Sequence, residues 1–98
     1  MAAVVVREET MAGRAVAEWV LPDLPASITA RELVRLRVRE SYGRPGWEAE
    51  ADAACAAFAH NAFVLIAGDH QIDDLDEAID LERAHVVSFI RLTPLAGG

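Results

Sequence analysis

The sequence predicts an α+β domain in which two helices pack on one face of a mixed sheet. Strand-forming runs lie near both ends of the chain, and two stretches between them carry the three- and four-residue apolar spacing of helices. The resulting order is strand, strand, helix, helix, strand, strand, strand, with no internal repeat and no low-complexity linker. That order suits a single layer of helices on a sheet, and 98 residues suit one domain.

The N-terminal segment is predicted to be a β-hairpin. Residues 3–9 begin with a valine run rich in strand formers, and residues 10–13 supply a turn before a second strand over residues 14–21. Pro22 and Pro25 are predicted to stop that second strand, because proline has no backbone N–H to donate.

A first helix is predicted over residues 29–42. Thr29 and Glu32 match the capping box, in which each side chain satisfies a free amide at the helix start, and Ser27 is the second candidate for the cap. Arg37 projects among the apolar positions, which we ascribe to snorkelling of its aliphatic stem. A separate stripe of arginines recurs every fourth residue and is either a solvated helix face or a contact for an acidic partner. The stripe comprises Arg31, Arg35 and Arg39.

A second helix is predicted from Trp47 to about residue 59. Residues 43–46 break the first helix, and apolar residues then repeat at helical spacing until His60 and Asn61 close the segment. Acidic residues lie in its first turns, where a helix N-terminus favours negative charge.

The remaining segment is predicted to contain a strand over residues 63–66, a tight turn, and a short strand over residues 70–72. Residues 73–84 are acidic and predicted to be irregular, and residues 86–92 form a last strong strand. Three apolar residues are expected to anchor the acidic segment. They are Leu75, Ile79 and Leu81.

The last strand is apolar on both faces, so we expect it in the middle of the sheet. Val87 and Phe89 lie on one face, and Val86, Ile90 and Leu92 on the other. Helices are expected to cover one face, and a partner or exposed apolar surface the other. Pairing this strand beside the first strand of the hairpin is the β-grasp solution, although periodicity alone does not force it.

The sequence after this strand divides the chain into a domain, residues 1–92, and a flexible tail, residues 93–98. The tail contains Pro94 and ends in Gly97 and Gly98, and neither proline nor paired glycines continue a strand well. We therefore expect the tail to project from the domain.

Composition excludes several classes of function. A net charge of −7 argues against nucleic acid or an anionic membrane surface as the main partner. All nine positive side chains are arginine, which reflects either genome composition or the avoidance of amines that could act as acceptors. The sequence shows no signal peptide and no apolar run near the ~18 residues of a membrane span. A single cysteine fits a reducing compartment, so we expect a cytoplasmic protein.

No constellation of residues predicts an enzyme. The three histidines, His60, His70 and His85, lack ligands at metal spacing, and the acidic segment lacks the glycine and the closing glutamate of a calcium loop. No phosphate-binding loop or nucleophile elbow is present. Cys55 lies among alanines and is expected to be a core residue rather than a nucleophile.

The residues that carry a family resemblance are the stretch 20–33, the hairpin around Gly68, the stretch 74–81, and above all the block 87–98. Together they resemble ubiquitin-like β-grasp proteins. Within that family the chain is most similar to the prokaryotic sulfur carriers of the molybdopterin-synthase small-subunit and thiamine types, and to bacterial ubiquitin-like modifiers.

The resemblance implies that Gly98 reacts and that Gly97 is its slender neighbour. An E1-like enzyme would use ATP to adenylate the Gly98 carboxylate, because a free carboxylate is a poor electrophile, and the absence of Cβ atoms would let the tail thread into the enzyme. No cofactor would be bound by the chain itself. Further implied partners are an E2-like enzyme and a JAB-type metalloprotease, or the subunit of a sulfur-acceptor enzyme.

Three functions follow as expectations. The first is a protein modifier joined to a target amine, which the absence of lysine favours slightly. The second is a sulfur carrier with a thiocarboxylate at Gly98, and the third is a β-grasp interaction module that is not conjugated. Four residues beside the tail are expected to dock the activating enzyme, with one or two of them buried in the core as the alternative. They are Phe89, Val87, Arg91 and Leu95.

Overall fold

The computed structural model describes residues 2–12 and 14–92, so the predicted tail, residues 93–98, lies outside the described residues. The described chain contains seven strands and two helices. In chain order they are β1 (Ala2–Glu9), β2 (Ala15–Leu24), β3 (Ser27–Thr29), α1 (Ala30–Tyr42), α2 (Trp47–Ala59), β4 (Phe63–Ala67), β5 (His70–Ile72), β6 (Ala78–Asp80) and β7 (Val86–Arg91).

Five strands form a mixed sheet in the order β2-β1-β7-β4-β5. β7 pairs in parallel with β1 and antiparallel with β4, while β1–β2 and β4–β5 are antiparallel hairpins. The predicted α+β class is therefore confirmed, and the last strand lies in the middle of the sheet as expected. The pairing of β7 beside β1 makes the arrangement β-grasp-like.

The two helices cover one face of this sheet and enclose the core. Leu33 and Val34 of α1 are fully buried, and so are Val4, Val6 and Leu65 of the strands beneath them. Burial of such side chains stabilises the fold by roughly 1.5–3 kcal/mol each. Within the described part of the chain, neither helix has the length and apolar character needed to cross a membrane.

Both ends of α1 follow from its sequence. The amide of Glu32 donates to Thr29 Oγ1 at 3.1 Å, and the amide of Thr29 donates to Glu32 Oε1 at 3.1 Å, so the predicted capping box is present. Gly43 ends the helix at φ 64°, and its amide donates to the carbonyl of Arg39 at 2.9 Å. A glycine suits this left-handed cap because it has no Cβ to clash.

The prediction that Pro22 stops the second strand is wrong, because β2 continues to Leu24. β2 is an edge strand, so one of its sides has no neighbouring strand. A proline whose nitrogen faces that side costs the sheet no hydrogen bond. The register also shifts at this point, since Val4 pairs with Leu21 but Ala2 pairs with Leu24. The strand therefore passes through the proline at an irregularity and ends before Pro25.

β3 and β6 form a second sheet of two strands, which the sequence pattern does not predict. Ile28 pairs with Ile79, and both side chains are buried. The amide of Ala30 also donates to the carbonyl of Glu77 at 2.9 Å, which joins the start of α1 to the acidic segment. The segment 73–84 is thus partly regular, and its strand is three residues long, which is too short for a periodic signal.

Candidate functional site

The residues predicted to react, Gly97 and Gly98, lie outside the described residues, as does Leu95 of the predicted docking set. The structure does describe the end of β7 and Leu92, which precede the predicted tail in the sequence. β7 ends at Arg91, which pairs with Phe63 of β4, and the amide of Leu92 donates to the carbonyl of Ala62 at 3.1 Å. The base of the tail is therefore held at the start of β4.

Val87 and Phe89 are core residues rather than surface residues. Val87 is fully buried and Phe89 is 4 % exposed, and both belong to the hydrophobic cluster beneath the helices. Of the two alternatives for these residues, the structure thus shows the buried one. Because they lie two residues apart in a strand, both side chains point to the face that the helices cover. They therefore have almost no exposed surface for a partner to contact.

The face that the helices leave uncovered is lined by the alternate residues of the same strands. Val5 pairs with Val20 on one side and with Val86 on the other, and these three valines form an apolar row across the sheet. Val20 is 56 % exposed and Val86 38 % exposed. We call this the valine row. The sequence pattern places Val86 and Val87 on opposite faces, as the structure does, and Val87 and Phe89 lie on the face that the helices cover.

A polar band follows the valine row on the same face. Arg7 Nε lies 3.2 Å from a carboxylate oxygen of Glu18 and 3.7 Å from one of Glu9, and the hydroxyl of Ser88 donates to Glu9 at 3.1 Å. Next to this band Ile90 of β7 is half-buried. The uncovered face therefore combines the exposed aliphatic side chains of the valine row with the ion pairs that Arg7 forms with Glu18 and Glu9.

Arg91 is exposed and lies on the other face, where it lines a pocket between the helices and the sheet. It is the one member of the predicted docking set that the structure describes as accessible. Arg37 of α1 lines the same pocket, with its guanidinium carbon 5.0 Å from the centre of the Phe89 ring. The end of β7 therefore brings two guanidinium groups to one pocket.

Arg37 also explains why an arginine occurs among the apolar positions of α1. Its guanidinium forms an ion pair with Glu8, and the side chains of both residues are mostly buried, at 22 % and 16 % exposure. Burial lowers the pKa of Arg37, and the nearby charge of Arg91 lowers it further. The ring of Phe89 adds a cation–π contact, so the residue is partnered rather than merely snorkelling.

The predicted arginine stripe makes contacts within the domain. Arg31 pairs with Asp76 at 3.2 Å, and Arg35 pairs with Asp52 of α2 at 2.5 Å. The guanidinium groups of Arg35 and Arg39 lie 5.6 and 5.8 Å from the ring centre of Trp47. These contacts join α1 to α2 and to the acidic segment.

The acidic segment uses its carboxylates for turns and a histidine contact. Asp74 accepts from the amide of Asp76 at 2.8 Å, and Asp80 accepts from the amide of Glu82 at 3.0 Å. His70 Nε2 lies 2.7 Å from Glu77 Oε2. Among the described residues, no three histidine, cysteine, aspartate or glutamate side chains converge on a metal site.

Cys55 lies in α2 with 7 % of its surface exposed and packs in the core cluster. Burial raises the pKa of its thiol, and the charges of Arg31 and Arg35 oppose that rise. A buried thiol with a raised pKa is a poor nucleophile. The geometry therefore agrees with a core residue.

Comparison of the chain with family models, curated proteins and solved structures finds no match in any of the three.

Proposed function

We propose that the chain is a ubiquitin-like protein whose Gly98 carboxylate is adenylated by an E1-like enzyme and then joined to an amine of a target protein. The observation that carries the proposal is the position of β7. This strand lies between β1 and β4 in a β-grasp-like sheet and leads directly into a segment that ends in two glycines. In this role the chain is the substrate of an enzyme and not an enzyme itself.

The geometry at the end of β7 supports this role. Hydrogen bonds to β4 extend through Arg91, and Leu92 is still bonded to Ala62, so the domain holds the base of the tail. Residues 93–98 can span at most about 20 Å beyond that base. That length is enough for a carboxylate to enter a nucleotide-binding pocket while the domain rests on the enzyme's surface.

The uncovered face of the sheet is the surface we assign to the activating enzyme. Interface centres are enriched in apolar groups and arginine, and the valine row supplies exposed apolar groups within one sheet. Ile90 lies on this face one residue before Arg91, where the ladder with β4 ends. This assignment replaces Val87 and Phe89, whose side chains are buried.

A sulfur carrier is the alternative fate of the same activated group. Adenylation of Gly98 is the first step in both cases, and only the nucleophile differs, being an amine for a modifier and a sulfur donor for a carrier. The features of the domain that support activation support both fates equally. The products must therefore be separated by experiment.

Digestion with trypsin can distinguish the two products. Arg91 is the last arginine and the chain has no lysine, so digestion releases residues 92–98 as a single C-terminal peptide. We propose to express the N-terminally tagged chain in its source organism, purify it under denaturing conditions and analyse the digest by mass spectrometry. A chain lacking Gly98 serves as the control.

Each outcome identifies one function. The peptide 92–98 branched onto a target lysine supports the modifier, and the same peptide with sulfur in place of one terminal oxygen supports the carrier. If neither product forms, and deletion of Gly98 changes no partner of the protein, the non-conjugated interaction module is correct and the proposal is wrong.

A further inference from the structure

A pocket of about 220 Å³ opens between the helices and the sheet at the end of β7. Its walls are apolar and come from Ala54 and Ala57 of α2 and from the rings of Phe63 and Phe89. The two rings lie 5.8 Å apart, centre to centre, and are tilted by 40°. Small side chains on the helix opposite these rings create the space.

The charged residues that line this pocket carry a net positive charge. Arg37 and Arg91 both line it, and Glu8 is the one carboxylate among its lining residues. Glu8 is already paired with Arg37, and no carboxylate in residues 2–12 and 14–92 forms an ion pair with Arg91. In a chain with a net charge of −7, this excess of positive charge marks a place for an incoming anion.

Glu8 engages only part of the Arg37 guanidinium. Its Nε is buried and has no hydrogen-bond partner among the described residues, because Glu8 engages a terminal nitrogen of the guanidinium. Arg37 and Arg91 line the same pocket, and their like charges repel each other. An anion between them would relieve that repulsion.

We propose that this pocket, the Arg37–Arg91 pocket, binds a segment of a partner protein that carries an apolar side chain next to a carboxylate. The apolar side chain packs against Phe63 and Phe89, and the carboxylate lies between the two arginines. The pocket is smaller than the roughly 300–1,000 Å³ of small-molecule sites, so it suits one side chain rather than a cofactor. The proposal does not require Gly98 to react.

The probe for this pocket is N-acetyl-leucine, which joins a carboxylate to a branched apolar side chain. N-acetyl-leucinamide is the matched neutral probe. We expect N-acetyl-leucine to bind with a dissociation constant on the order of millimolar, seen as saturable NMR shifts of the Arg37 and Arg91 Nε–H signals and the Ala57 amide. The amide is expected to bind at least about threefold more weakly.

Two pairs of variants locate the binding. Arg91→Gln is expected to weaken N-acetyl-leucine about three- to fivefold, while Arg83→Gln, which removes a charge from a 90 % exposed side chain elsewhere, leaves binding unchanged. Ala57→Leu fills the pocket and is expected to abolish the shifts. Ala49→Leu makes the same change at an exposed position of α2 and leaves them intact.

The result that overturns the proposal is equal binding of the acid and the amide, absence of saturable shifts, or loss of binding in Arg83→Gln as large as in Arg91→Gln. Each variant is first checked for an unchanged amide spectrum outside the pocket. Neither probe involves residues 93–98, so failure here leaves activation at Gly98 to be judged by its own experiment.

Discussion

The guanidinium of Arg37 lies over the ring of Phe89, with 5.0 Å between the guanidinium carbon and the ring centre. This contact connects α1 to β7, and the ion pair between Arg37 and Glu8 connects α1 to β1. Three elements thus meet at one partly buried charge. Such a charge is costly to leave without a partner.

Glu8→Ala is expected to lower the free energy of unfolding by about 1–3 kcal/mol, because it strands the Arg37 charge. The matched control is Glu18→Ala, which breaks the exposed pair with Arg7 and should cost less than about 1 kcal/mol. Arg37→Met in the Glu8→Ala background should recover part of the loss. Urea denaturation measures the free energy of unfolding of all three variants. If Glu8→Ala is destabilised no more than Glu18→Ala, Glu8 does not compensate a buried charge on Arg37.

Thr29→Ala is expected to destabilise the protein by about 0.5–2 kcal/mol, because it removes the hydroxyl that caps α1. Thr29→Ser keeps that hydroxyl and should retain most of the stability. Thermal and urea unfolding followed by circular dichroism test the difference. A serine variant as unstable as the alanine variant would show that the capping bond is not the cause.

The pH dependence of Glu32 follows from the same capping box. The backbone amide of Thr29, and then its hydroxyl, hold the pKa of Glu32 below its ordinary value of 4.5. The carboxylate therefore contributes stability above that ordinary value, and the contribution is lost as pH falls through the lowered native value. Glu32→Gln has no carboxylate to protonate, so it should not lose this stability in acid. The difference in unfolding free energy between the wild type and Glu32→Gln, measured by urea denaturation, should therefore become smaller as pH falls. A difference that does not change with pH would contradict this role of Glu32.

Gly43→Ala is expected to cost roughly 1 kcal/mol of unfolding free energy. The backbone at Gly43 has φ 64°, and an added Cβ would meet no atom within 4 Å, so the cost arises from backbone strain alone. Gly43→Asn should cost less, because asparagine tolerates this conformation better. An alanine variant as stable as the wild type, measured by urea denaturation, would show that the cap adopts another conformation.

The Cys55 thiol is expected to react slowly with iodoacetamide in the folded protein and rapidly in denaturant. Burial limits access and raises the pKa of the thiol, so little thiolate is present at neutral pH. The control is Ala56→Cys in a Cys55→Ala background, which places a thiol at an exposed neighbouring position. Equal alkylation rates of the two folded proteins, followed by mass spectrometry, would contradict the burial of Cys55.

Long periodic segments and caps made most of the fold predictable. The Thr29 capping box, both helices and the alternation of Val86 and Val87 appear in the structure where the pattern predicts them. The β3–β6 pair was missed because a three-residue strand such as the one around Ile79 has no measurable period. Pro22 does not end β2, because an edge strand tolerates a proline and a central strand does not.

The candidate site was less predictable than the fold. The sequence leaves Phe89 either on a docking surface or in the core, because alternation alone does not say which face of a central strand the helices will cover. The role of Arg37 depends on Glu8 of β1, which is 29 positions away in the chain and becomes its neighbour only when α1 packs on the sheet. Activation at Gly98 stays a prediction, because it depends on residues 97 and 98, which the structure does not describe.

The most direct test of the central claim is to trap the activated tail. Purified protein is incubated with an extract of its source organism, ATP and hydroxylamine, which converts any activated acyl group into a hydroxamate, and the tryptic peptide 92–98 is then weighed. We predict a hydroxamate at Gly98 that forms with ATP and not with an analogue whose α,β-phosphate bridge cannot be cleaved. If the carboxylate of Gly98 is unmodified in both reactions, the protein is not activated at its tail.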